Sequence, residues 1–144
     1  MNHMEKREVV TAFLRHDDRI LLLKRSKQTA TYQGYWSGVS GYLDGDAALM
    51  QARQEINEET GLADEDISLV CDGAPLEIPA PELDTCWVVY PFLFDITNPD
   101  LVTLDRENDE LQWVRAEDIH GMATVPSLIK VLARCLERER GKRH

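Results

Sequence analysis

The sequence predicts an α/β protein in which a mixed β-sheet lies between helices. Three observations carry that prediction. Short β-favouring apolar segments recur along the chain. Two segments with helical apolar spacing are well separated, one in mid-chain and one near the end. No repeat or linker interrupts the 144 residues, a length that suits one domain over 1–144.

The elements follow in order. Val9, Val10, Ala12, Phe13 and Leu14 read as a first strand, Asp17-Asp18-Arg19 as a turn, and Ile20 to Leu23 as a second strand. Ser26 to Gly34 is polar and reads as a loop. Trp36 to Leu43 sets Gly and Ser between Trp, Val and Tyr, which suggests a strand or a sharp bend with close backbone approach. Ala47 to Thr60 is the clearest helix: Ala48, Ala52 and Ile56 recur every four residues with Leu49 beside them. Asp46 stands where an N-cap belongs and Gly61 where a C′ glycine belongs. Asp66 to Asp72 contains a short strand. Pro75, Pro79 and Pro81 mark a loop or edge strand, and Asp84 to Ile96 a long strand. Leu101–Leu104 and Leu111–Val114 read as two more strands around an acidic loop, Asp105 to Glu110. Pro126 to Arg140 reads as a closing helix, with Leu128, Val131, Leu132 and Cys135 on its apolar side.

The formal charge is −10. So acidic a surface disfavours duplex nucleic acid and anionic lipid, while a small phosphorylated ligand remains accessible through a metal. The longest apolar runs, Ile20–Leu23 and the stretch from Cys86 to Phe94 broken by Pro91, are far short of the ~20 residues of a membrane span. Met1 to Glu8 has no apolar signal core. Cys71, Cys86 and Cys135 lie in apolar contexts and are expected to be reduced, buried thiols with no disulfide. Together these features imply a cytoplasmic protein with no membrane partner.

The mid-chain helix carries the chemistry. Glu55, Glu58 and Glu59 stand at i, i+3 and i+4, on one face of its last turns. That is the negative end of the helix dipole, and the carboxylates repel one another by roughly 1–3 kcal/mol per pair. Arg53 is the only cation within this segment. A cluster that destabilises the bare chain implies an absent cation, and oxygen-only ligands select hard Mg²⁺, or Mn²⁺, over zinc. The alternative for the charges alone is a solvated Glu-rich face.

Residues 40–62 resemble the Nudix box, G-x5-E-x7-R-E-U-x-E-E-x-G-U with U aliphatic. Glu55-Ile56, Glu58-Glu59 and Gly61-Leu62 match it fully. Leu22-Leu23-Lys24-Arg25, Gly34-Tyr35-Trp36 and Trp113 to Ile119 are also similar to the family, so the resemblance runs from about residue 8 to 135. Either Ser40, counted without a gap, or Gly41, with a shorter loop, takes the place of the first glycine. Asp46 stands for the usual Glu and Gln54 for the usual Arg, a paired change that still allows a hydrogen bond.

The resemblance implies a Nudix-type α/β/α sandwich and metal-dependent hydrolysis of a nucleoside diphosphate linked to another moiety, or of a nucleoside triphosphate. It implies that Glu55, Glu58 and Glu59 hold Mg²⁺, and that Glu55 or Glu107, on a loop facing the box, receives the proton of the attacking water. Lys24 and Arg25 are candidates for a phosphate contact, with solvated surface cations as the alternative. Tyr42, Tyr35 and Trp36 are candidates to stack a base, although Trp36 suits the core. His3, His16, His120 and His144 have no ligand spacing and are expected at the surface. A homodimer is compatible with the sequence. The alternative function is a non-enzymatic Nudix module that binds a nucleotide as a sensor.

Overall fold

The computed structural model describes residues 4–141. Its centre is a parallel ladder between β1 (Glu5–His16) and β7 (Thr85–Ile96), in register from Glu5 opposite Thr85 to Arg15 opposite Asp95. The other edge of β1 is shared. β4 (Val39–Tyr42) pairs antiparallel with Val9–Ala12, and β2 (Arg19–Arg25) pairs beyond it. Asp17 and Asp18 join β1 to β2 with φ of 48° and 67°. That is the pair of left-handed residues a two-residue hairpin needs, and a short acidic side chain tolerates it. β3 (Trp36–Ser37) and β8 (Asn108–Val114) flank β2, so Trp36 to Leu43 is two short strands broken at Gly38. β5 (Ile67–Asp72) and β6 (Leu76–Ala80) both pair antiparallel with β7, and β6, with Pro79, makes the edge strand the prolines predict.

The mixed sheet lies between two helices, α1 (Ala48–Thr60) and α2 (Leu128–Gly141). Strand alternation sorts the core. Val10, Ala12 and Leu14 of β1, with Leu21 and Leu23 of β2, face Ala52 and Ile56 of α1. Phe13 and Leu22 face the other way, towards Leu128, Val131, Leu132 and Cys135 of α2. Cys71, Cys86 and Cys135 are buried, and none is in a disulfide. Among the described residues no helix is long and apolar enough to cross a membrane.

Four expectations change. Leu101–Leu104 forms no strand. Pro99–Leu101 makes a single helical turn, Thr103 N–H then donates to Thr60 O at 2.9 Å, and Val102 and Leu104 fill the core beside α1. The apolar spacing there records packing on a helix end rather than sheet pairing. Asp46 does not cap α1; Ala47 holds the N-cap position without a side-chain bond. Gly61 does terminate α1, at φ +78°. The last helix starts at Leu128 rather than Pro126, because Ser127, at φ +61°, is non-helical and accepts from Val131 N–H. His16 is partly buried: its Nδ1 donates to Ile96 O at 3.1 Å and its ring meets Trp113 edge-on. His120 is exposed; His3 and His144 lie outside the described residues.

Arg15 fastens α2 to the central ladder. Its guanidinium donates at 2.8 Å to Asp95 of β7 and, through two nitrogens, at 2.8 Å to Glu139 of α2. Removing these charge-assisted bonds by Arg15→Met should destabilise the fold by about 1–3 kcal/mol. Urea unfolding checks this; an unchanged midpoint would show that apolar packing alone seats α2.

Candidate active site

A cavity of about 330 Å³ opens beside α1 and runs under α2. Its acidic end holds Glu55, Glu58 and Glu59 of α1, with Asp105 and Glu107 from the loop before β8. The helical period brings the three α1 glutamates together, and the loop supplies the facing wall. The apolar end is lined by Trp87 and Val89 of β7, Ile78 of β6, and Leu128 and Val131 of α2. Trp87 Nε1 donates to Tyr32 Oη at 3.0 Å, and the Tyr42 ring stands 6.2 Å from the indole.

Each α1 glutamate has one oxygen held by an uncharged amide. Gln51 Nε2 donates to Glu55 Oε1 at 3.2 Å, Gln54 Nε2 to Glu58 Oε1 at 3.0 Å, and Asn108 Nδ2 to Glu59 Oε1 at 3.1 Å. Gln54 therefore serves Glu58, four residues on, and is not the partner of Asp46. The brace between the box loop and α1 is Gln51, whose Oε1 accepts from Asp44 N–H at 3.3 Å.

Gly41, rather than Ser40, fills the first-glycine position. A Cβ there would lie 2.2 Å from the Glu55 carboxyl carbon, so only glycine lets that side chain cross β4. The box loop is accordingly one residue shorter than the gapless count. Ser40 instead accepts from Arg25 Nη1 at 3.4 Å.

Glu59 is 5% exposed, and its Oε2 is buried without a hydrogen-bond partner. The expected shared face is therefore uneven, with Glu58 in solvent and Glu59 inside. Burial raises the Glu59 pKa well above the usual carboxylate range; Glu55, Asp105 and Glu107 add to the rise and Asn108 opposes it. Burial, then the charge of Glu58, also raises Glu55, while its hydrogen bond to Gln51 opposes the rise. Among the described residues no three acidic, His or Cys side chains are already arranged to hold a metal ion.

Arg25 is the cavity's one cation among its lining residues. Its Nε donates to Thr31 O at 2.9 Å, and its pKa is lowered by burial against the attraction of Glu59 and Glu107. Lys24 points elsewhere, to Glu110 at 3.3 Å, and does not line the cavity. Tyr42 lines it; Tyr35 is exposed outside it and Trp36 packs against the α2 core. Sequence reasoning missed Trp87, Tyr32 and Asn108. The only signal for Trp87 was strand alternation, which leaves open the face, and Asn108 was hidden among acidic neighbours.

The family model described as the NUDIX domain matches residues 5–135. A curated relative, "Nucleoside triphosphatase NudI" of Klebsiella pneumoniae, is 26% identical over 121 residues, spanning 81% of this chain and 86% of that protein. The crystal structure of the MutT protein from Methanosarcina mazei Go1 matches with a TM-score of 0.74 at 24% identity, covering 94% of this chain and 96% of that one. A binary complex of the C. elegans Ap4A hydrolase matches at 0.72 and 21% identity, covering 95% and 98%. The two structures establish the same fold. With the family model matching nearly the whole chain, and with Gly41, Glu55, Glu58 and Glu59 assembled around one cavity, the chain belongs to the Nudix hydrolase family.

Proposed function

We propose that this chain hydrolyses a phosphoanhydride bond in a nucleoside triphosphate or another nucleoside diphosphate derivative, using Mg²⁺, or Mn²⁺, held by Glu55, Glu58 and Glu59. One observation carries the reading: the buried, unbonded Oε2 of Glu59 beside a second carboxyl of raised proton affinity. Leaving such an atom unsatisfied costs about 1–3 kcal/mol or more. The all-oxygen donor set fits a hard divalent cation. The name of the Klebsiella relative puts nucleoside triphosphates first among the candidates.

A divalent cation there would offset the charge of the phosphates, polarise a phosphoryl oxygen and lower the pKa of a bound water. The chain's own groups do the rest. Arg25, with guanidinium donors beyond those given to Thr31 and Ser40, suits a phosphate oxygen. Glu55 and Glu107 both border the cavity as acceptors for the proton of the attacking water, and Glu55, with its raised proton affinity, is the better matched near neutral pH. Trp87 and Tyr42 offer aromatic surface to a nucleobase at the other end. The carboxylates around the mouth oppose a duplex phosphate backbone, leaving a small nucleotide as the partner.

Nucleoside triphosphates and a panel of nucleoside diphosphate derivatives, incubated with Mg²⁺ and resolved by chromatography, test the reading. Cation-dependent release of a nucleoside monophosphate is expected, and turnover of none would overturn it.

Glu59→Gln should reduce turnover about a hundredfold or more, since a metal contributes several kcal/mol at about 1.4 kcal/mol per decade. In chelator it should raise the melting temperature. The folded state binds the Glu59 proton more tightly than the unfolded state does. The stability gained from this group is thus complete below the unfolded carboxylate pKa and is lost as pH rises through the raised folded value. The cation-free wild type should therefore lose stability between about pH 5 and pH 8 more steeply than Glu59→Gln. Equal slopes in thermal scans would contradict the burial of this charge.

Gly41→Ala offers a complementary check. The added methyl meets a movable carboxylate rather than backbone. Stability should stay within about 1 kcal/mol, while displacement of Glu55 should cost about a hundredfold in turnover. Wild-type turnover would show that Glu55 need not cross β4.

A further inference from the structure

We infer that Asn108 is a positioning residue for the whole acidic end of the cavity: it holds one oxygen of Glu59 so that the other is presented to a cation, and it ties Glu59 to the Asp105–Glu107 loop. The inference rests on the cation-site reading above.

Asn108 opens β8 opposite Arg25, where the β2–β8 register shifts between Lys24 and Arg25. Beyond that shift the ladder gives way to Ser26, whose N–H donates to Glu107 O at 2.8 Å and whose Oγ donates to Arg106 O at 2.7 Å. The loop is thereby bound to the end of β2, and Asn108 is carried inside, at 8% exposure. Its Nδ2 lies 3.1 Å from Glu59 Oε1 and 3.1 Å from Asp105 Oδ1. Both neighbours are carboxylate oxygens, so the nitrogen of the amide must face them, one hydrogen to each.

Two consequences follow from that fork. Glu59 is anchored through Oε1, which leaves Oε2 as the oxygen without a protein partner. Asp105 Oδ1 also accepts from Glu107 N–H at 3.2 Å. A continuous chain of hydrogen bonds therefore runs from Glu59 through Asn108 and Asp105 to the backbone of Glu107, fixing the Glu59 and Asp105 carboxylates relative to each other. A neutral amide is suited to this position: Lys or Arg would grip the carboxylate and oppose a divalent ion, and Asp would repel both neighbours. Partners that orient a ligand in this way typically change metal affinity 10–100-fold when removed.

The test uses the full chain and two readouts. Mn²⁺ alone is titrated into wild type and Asn108→Ala, and unbound Mn²⁺ is followed by electron paramagnetic resonance. The Mg²⁺ activation constant and the substrate KM at saturating Mg²⁺ are then measured separately on whichever nucleotide the chain turns over. The expected result is a loss of Mn²⁺ affinity and a rise in the Mg²⁺ constant, each about 10–100-fold, with the substrate KM at saturating Mg²⁺ remaining close to that of wild type. Unchanged Mn²⁺ affinity, or a parallel rise of substrate KM and Mg²⁺ constant from general loosening of the cavity, would overturn the inference. Should Asn108→Ala fail to fold, Asn108→Ser is read by the same criteria. Wild type that binds no Mn²⁺ would overturn the cation-site reading and this inference together, whereas bound Mn²⁺ insensitive to residue 108 would overturn the inference alone.

Discussion

Five carboxylates at one end of a cavity, facing one guanidinium, are the constraint around which this molecule is arranged. In water such groups would separate; here a helix, a strand and a loop hold them together. The fold accommodates the charge by using amides rather than cations as partners. Gln51, Gln54 and Asn108 each take one oxygen and leave the net charge of the cluster intact. Arg53, the one cation on α1, is turned away, towards Asp64 at 3.7 Å and over the Phe94 ring at 5.4 Å. Holding these carboxylates with amides rather than cations suits the divalent cation proposed for this site, at a cost in stability when none is present.

The sheet makes that arrangement rigid. Strand alternation sends Val10, Ala12 and Leu14 to α1, and leaves Val9 and Thr11 of the same strand to line the cavity. One strand thus fixes the helix that carries the glutamates and floors the cavity beside it. Gly41 completes the link. It is the gap in β4 through which Glu55 passes from the α1 side to the cavity.

Much of this was legible in the chain. Ala52, Ile56 and Gly61 fall on α1 as their spacing requires, and Glu55, Glu58 and Glu59 share its end. What escaped reading depends on contacts distant in sequence. Glu59 is buried and bonded to Asn108, which helical periodicity cannot reveal. Lys24 and Arg25 are adjacent on a strand, so only one could face the cavity; choosing Arg25 required knowing which face α2 covers. Counting residues made Ser40 and Gly41 equal candidates, and the path of one side chain decided between them. Leu101 to Leu104 looked like a strand because packing on a helix end can produce the same local apolar pattern.

The parallel ladder between β1 and β7 has a bearing on how the chain is made. Glu5 to Arg15 pair with Thr85 to Asp95, so the first strand emerges from the ribosome long before its partner exists. The β1–β2 hairpin and α1 can form early and cover one another, but the hairpin face that carries Phe13 and Leu22 stays uncovered until α2 has been synthesised. Pairing across so long an intervening stretch is entropically slow. During that interval the negative charge of the α1 glutamates acts between chains as well as within one, opposing the approach of neighbouring copies that carry the same charge.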